Sequence, residues 1–173
     1  MGAKLEAQWI VGFVDGEGCF NLDVHRKQDM QWGLQMQPEF TVVQNEVDIQ
    51  ILHALKEYFQ CGSVSVNRKD HNGTRYHFRV KSVKDLQEKI VPFFEKHPLK
   101  TKKNVEFRTF RTIVRLMNEG HHRKSLQNFL EIVDLGERLR VRNRPKSSTK
   151  STQVDKVVQQ LKTKLLSSES SLV

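Results

Sequence analysis

At 173 residues, with 37% hydrophobic and 8% aromatic content, the chain has room for one sizeable core and reads as a single domain with a tail. Its formal net charge of +9 and pI near 9.7 point to a polyanionic partner, nucleic acid first and an anionic membrane second. No apolar stretch approaches the roughly twenty residues of a membrane-spanning helix, and Cys19 and Cys61 form no paired motif, which argues against a disulfide scaffold and for a reducing compartment.

The opening MGAKLEAQ has neither a secretory apolar core nor an Arg/Ser-rich transit pattern. Ala7 to Asp15 then reads as a mostly buried helix. In CFNLDVHR (19–26), Phe20, Leu22 and Val24 alternate with Asn21, Asp23 and His25, as in a half-buried strand. Lys27 opens a polar connection to Gly33–Gln44, where Leu34, Met36, Phe40 and Val42 keep a second alternation. Pro38 predicts a kink or an unpaired edge there. Val47–Phe59 is an amphipathic helix with Val47, Ile51, Leu55 and Tyr58 on its apolar side, stopped by Gly62. GSVSVNRK and RYHFRVKS flank a hairpin with Asn72-Gly73 at its turn. Ser82 caps a helix over Val83–Glu95, in which Pro92 predicts a break. Helical patterns follow at Val105–Met117 and Ser125–Leu139. Arg140–Gln153 has linker composition, and Val154–Leu166 is a last helical segment. The predicted division is a domain over 1–139 and a basic linker with a helical tail over 140–173.

Two antiparallel hairpins separated by helices make an α+β fold, one sheet with helices on one face. The open face of the first hairpin would carry Asn21, Asp23, His25, Gln35, Gln37, Glu39 and Thr41. In the second hairpin, period two places Ser65, Asn67, Lys69, Arg75, His77, Arg79 and Lys81 there. These side chains match base edges, and a two-stranded ribbon fits a major groove. The adjacent His121-His122 make a poor zinc pair, because neighbours on a helix point apart.

The stretch IVGFVDGEG, residues 10–18, sets Gly12 and Gly16 four apart on one helix face and ends on Asp15 and Glu17. Small residues at that spacing let two helix backbones approach closely. No second stretch of this kind exists in the chain, so a second copy is the natural mate. Pairing would crowd carboxylates and unpaired carbonyls at two helix C-termini, where negative charge is already disfavoured. Hard divalent cations, Mg²⁺ above all, take such oxygens. An EF-hand is excluded, since Cys19 falls where an oxygen ligand is needed. Metal, water and a basic sheet together suggest phosphodiester hydrolysis, with a lysine offsetting phosphate charge.

The same nine residues closely resemble the defining motif of the LAGLIDADG homing endonucleases, and the order of elements over roughly residues 7–139 is similar to that family's. The resemblance implies an αββαββα saddle-shaped protomer, with one sheet face on DNA and helices on the other. It also implies a homodimer, because one motif copy is present, with Trp9, Gly12, Phe13 and Gly16 at the seam. It implies Glu17 as the metal-binding acid, Gly16 as a carbonyl ligand and Asp15 as a helix-end structural residue. Gln44 would order the attacking water, and Lys102 aligns best as the site lysine, with Lys100 or Lys103 as the alternatives. These open-face residues, with Lys27, would contact a long pseudo-palindromic double-stranded DNA target. Mg²⁺ or Mn²⁺ would support cleavage to short 3′ overhangs, and Ca²⁺ binding only. No arginine is assigned to the site, because Asn45-Glu46 and Asp48 stand where some relatives are basic. Such proteins are often encoded in chloroplast or mitochondrial introns. An intron RNA-binding splicing cofactor, or a DNA-binding protein that does not cleave, would use the same basic surfaces without needing Glu17.

Overall fold

The computed structural model of the chain describes residues 4–71, 73–143 and 152–170. Helix α1 (Ala7–Glu17) leads directly into β1 (Gly18–Arg26), which pairs with β2 (Leu34–Asn45). A 3₁₀ turn (Glu46–Asp48) and α2 (Ile49–Phe59) connect to the hairpin of β3 (Ser63–Asp70) and β4 (Gly73–Val80). The strands form one antiparallel sheet in the order β1-β2-β4-β3. Helices α3 (Val83–Asp85), α4 (Val91–Lys96), α5 (Lys103–Asn118), α6 (His121–Lys124), α7 (Leu126–Asn143) and α8 (Gln153–Ser170) complete the chain. The order of helix, hairpin, helix, hairpin and helices is the one the periodicity predicts, and the αββαββα arrangement is the one the resemblance implies.

The core lies between the sheet and the helices. Phe20 is fully buried at its centre, with ring centroids 5.2 Å from Phe40, 5.6 Å from Phe94, 5.5 Å from Phe107 and 5.2 Å from Phe110. One side chain thus ties two strands to two helices. Phe20→Ala is expected to cost about 3–5 kcal/mol in urea unfolding, the usual range for a buried ring left as a cavity. Helix α7 crosses β1 closely at Gly136, where an added Cβ would lie 2.6 Å from the Leu22 side chain.

Several expectations are corrected. Pro92 does not break its helix. A π-helical turn (Leu86–Ile90) precedes it, with the Val91 N–H reaching back to the Leu86 carbonyl, and the widened turn accommodates the proline. Pro38 follows the second of its two expected readings: it stays within β2, opposite Leu22 of β1, on an edge that β4 leaves open by pairing with β2 only from Phe40 onward. Val47 falls in the 3₁₀ turn and is 75% exposed rather than on an apolar helix face. The predicted boundary after residue 139 lies inside α7. Helix α8 packs on the same core through Val154, Val157, Val158, Leu161 and Leu165. It is anchored by Lys162 to Asp134 at 2.7 Å and by Arg26 donating to Gln153 at 3.1 Å. The central part of the predicted linker, 144–151, and the turn residue Asn72 lie outside the described residues.

Candidate active site

The turn from α1 into β1 fixes the acidic end of the helix. The Gly18 N–H bonds back to the Val14 carbonyl, and a Cβ on Gly18 would meet Val14 Cγ1 at 2.5 Å and its carbonyl oxygen at 2.8 Å. Only glycine fits there without moving the corner. Asp15 is taken up by the loop before α5. Its carboxylate accepts from the Lys100 N–H at 2.7 Å, the Thr101 N–H at 3.3 Å and the Thr101 hydroxyl at 2.8 Å. It therefore braces two segments and has little left for an ion. Glu17 differs: its side chain is exposed and has no hydrogen bond or ion pair with the described residues.

The loop lysines separate in the same region. Lys100 uses its backbone on Asp15. Lys102 sits exposed at the N-cap of α5. Lys103, one residue on, points its ammonium inward and donates to the Gly18 carbonyl. Of the three lysines the sequence leaves open, Lys103 is the one whose ammonium reaches β1, because α5 begins at Lys103 and its first turn carries that residue inward. One turn later Glu106 is buried at 4% exposure, and both side chains act on Cys19, whose thiol is pushed up chiefly by burial. Glu106 was not singled out from the sequence. The i, i+3 spacing of Lys103 and Glu106, on the face that also carries Phe107 and Phe110, is the available signal.

Gln44 is half-buried near the end of β2, in register with Tyr76, and its Oε1 accepts from the Asn45 N–H at 2.9 Å. Along β2 it lies two residues, about 7 Å, beyond the Gly18–Val42 pair, level with the last turn of α1. On the far side of that helix, a Cβ added at Gly12 or Gly16 meets nothing within 4 Å. Trp9, 44% exposed, and half-buried Phe13 stack beside them at 4.8 Å. The small-residue face has no mate within the described chain.

The exposed carboxylate and the carbonyls of a helix C-terminus are hard oxygen donors of the kind Mg²⁺ takes. Among the described residues no three acidic, His or Cys side chains gather into a site. The donors present, one free carboxylate and helix-end carbonyls, fit the chemistry of such an ion.

On the open sheet face, Asn21 pairs with Glu39, Asp23 with Gln37, His25 with Gln35, and Thr41 with Arg79. Charges of both signs are interlocked there. Glu39 lies 3.7 Å from Arg79 and 3.9 Å from Lys81, and His25 bridges Asp23 at 3.3 Å and Gln35 at 3.2 Å. Gln37 donates to the Lys81 carbonyl at 2.8 Å. Lys27 lies just past β1, 3.9 Å from Asp29. Lys69 is corrected. A bulge between Val66 and Arg68 shifts the register, so Arg68 stands opposite Arg75 and Lys69 opposite Thr74 on the other face. His77 is corrected as well. It is only 5% exposed, with Nε2 3.0 Å from Ser65 Oγ and Nδ1 3.0 Å from Asn67 Nδ2, so both nitrogens hold neighbours in place.

Burial, with Arg79 and Lys81 nearby, holds the His77 imidazole below its usual 6.5. The folded chain therefore favours the neutral ring, whereas the unfolded chain takes up a proton near 6.5. Stability from this residue is complete above that pH and is lost as pH falls toward the folded value. His122, lowered by burial and Arg123, acts in the same direction. Thermal midpoints should drop between pH 7.5 and pH 5, and His77→Gln should drop less.

These features define a helix-end acid site beside a strand surface of hydrogen-bonding side chains. Residues 10–114 match the LAGLIDADG endonuclease family, and the chain belongs to it. A probable intron-encoded endonuclease of Neurospora crassa is 31% identical over 132 residues, 76% of this chain and 28% of that protein. The DNA endonuclease I-CeuI of Chlamydomonas moewusii is 24% identical over 138 residues, 76% of this chain and 61% of that protein. The chain thus spans between about a quarter and three-fifths of the length of these two relatives. Among solved structures, the homing endonuclease I-TnaI is 39% identical with a TM-score of 0.75, covering 92% of this chain and 99% of that one. I-LtrWI bound to its target DNA is 25% identical with a TM-score of 0.72, covering 79% of this chain and 44% of that one.

Proposed function

We propose that the chain is a homing endonuclease that cuts both strands of a long pseudo-palindromic DNA target as a homodimer. The observation that carries this reading is the unpartnered Glu17 carboxylate at the end of a helix whose glycine face is open. Two copies meeting on that face bring two such carboxylates together at the seam. A divalent ion, Mg²⁺ or Mn²⁺, would be held by Glu17 and the Gly16 carbonyl, and would supply charge to polarise the scissile phosphate and acidify water.

The chain's own groups do the rest. Lys103 holds an ammonium beside the helix end, where it opposes charge building on the phosphate. The Gln44 amide, level with that end, orients the attacking water by hydrogen bonding. Asp15 fixes the position of Lys103 through the loop it braces. The open-face row from Asn21 to Lys81, with Arg68 in place of Lys69 and without the buried His77, reads base edges and phosphates in the major groove.

The test is incubation of the purified protein with a plasmid library of randomised inserts. With Mg²⁺, linear products with short 3′ overhangs and a recurring half-repeated sequence are expected; with Ca²⁺, retained binding and no cut. Absence of any cut with Mg²⁺ or Mn²⁺ across the library overturns the reading. The intron-encoded relatives support an origin in a mitochondrial or chloroplast gene.

A further inference from the structure

The far end of the first hairpin carries a cavity of about 600 Å³ that none of the roles above uses. It opens along the edge of β2 that β4 leaves unpaired, and helices α5 and α6 form its other wall. Its apolar floor includes Phe129, whose ring lies 6.4 Å from that of Trp32.

Amides of Gln31, Gln35, Gln37 and Asn118 line this cavity, and its two unpartnered polar atoms are of one kind. Trp32 Nε1 is buried with no hydrogen-bond partner among the described residues, and so is His122 Nδ1. Arg123 Nε donates to His122 Nε2 at 3.3 Å. That bond makes Nε2 an acceptor and leaves the ring proton on Nδ1. Both orphaned atoms are therefore N–H donors. Lys81 and Arg123 add cationic charge, and no described lining residue is acidic, although Glu39 lies 3.9 Å from Lys81. Leaving two donors buried and unmet is costly. A cavity furnished this way is completed by an anion with several acceptor oxygens.

Gln35, Gln37 and Lys81 both line the cavity and belong to the row proposed to face DNA. The cavity is thus continuous with that surface. Eight residues of β1 separate it from the Gly18 corner, about 27 Å along the strand, or about eight base pairs of duplex. The geometry points to a nucleotide phosphate in the outer flank of the target DNA, bound to Trp32 Nε1–H, His122 Nδ1–H and Arg123. This inference rests on the endonuclease reading and extends its footprint to a site beside the sheet.

The test compares two duplexes recovered from the library, one with full flanks and one trimmed inside the eighth base pair on each side, in Ca²⁺. The wild type is expected to bind the full duplex about tenfold more tightly than the trimmed one. Trp32→Phe keeps the ring and removes the donor. Arg123→Gln, on an exposed side chain, removes charge and the tautomer-setting bond without disturbing the core. Each should bind the full duplex as weakly as the wild type binds the trimmed one, and lose little further on trimming. Equal losses on both duplexes, or no flank dependence in the wild type, overturn the proposal. Titration with deoxyadenosine monophosphate, followed by calorimetry, gives a second decision. A saturable signal that is absent in Trp32→Phe, with no flank dependence, assigns the cavity to a free nucleotide and overturns the DNA occupant. Cutting of the trimmed duplex by the wild type reports on the endonuclease reading separately from this site.

Discussion

Glu17→Gln is expected to abolish double-strand cutting in Mg²⁺, by at least about a thousandfold, while binding in Ca²⁺ persists. A factor of that size is about 4 kcal/mol of barrier, the scale of a lost charge contact made in the transition state. The substitution keeps the shape of the side chain and removes only its charge. Because Glu17 is exposed and makes no hydrogen bond or ion pair with the described residues, nothing in the fold depends on that charge. The opposite effect on stability is predicted. A carboxylate in the last turn of a helix faces the negative end of the helix dipole and costs about 0.3–1 kcal/mol. The metal-free Gln variant should therefore melt slightly higher than the wild type. Loss of activity with gain of stability is the signature of a residue kept for chemistry. A variant that cuts as fast as the wild type removes Glu17 from the reaction. One that stops cutting because it melts lower makes the residue structural.

Asp15, only two positions away, should behave in the reverse way, and the contrast shows what the sequence could and could not convey. Both residues are acids at the end of one helix, and the spacing alone assigns neither. The structure separates them by three hydrogen bonds from the loop at 100–101, some 85 residues along the chain. Period-two alternation in β1 and β2 was legible because Phe20, Leu22, Phe40 and Val42 can be buried only by one register. The bulge before Arg68 was not legible. It needs no special residue, and one inserted position turns every later side chain to the other face. The choice among the lysines near the site stayed open for a similar reason. A helix turns about 100° per residue, so whether Lys102 or Lys103 faces inward depends on where α5 begins. His77 looked like a base reader because its parity was right. Its burial depends on Ser65 and Asn67 across the strand pair, which pattern alone cannot supply. The docking of α8 likewise depends on residues as distant as Arg26, beyond any local signal.

The glycine face of α1 is where sequence and structure agree on a feature that one chain does not explain. Gly12 sits mid-helix, where glycine costs about 1 kcal/mol relative to alanine. The fold gains nothing from it, since a Cβ there would meet no atom within 4 Å. Gly12→Leu is therefore expected to leave the single chain folded and to raise its stability by about 0.5–1 kcal/mol. The same side chain would hold two α1 helices apart by more than their present surfaces allow, because close approach needs small residues at the crossing. Sedimentation of the variant should show monomers at concentrations where the wild type is a dimer, and cutting of both strands should fall at least about a hundredfold. Each Glu17 would then lack its counterpart, and the shared ion its second donor set. Gly12→Ala should fall between the two, more stable than wild type and weaker in association. A leucine variant that remains dimeric and fully active would place the seam on another face. In that case Trp9 and Phe13 would be ordinary surface side chains, and the helix ends would have to find their cation within a single protomer.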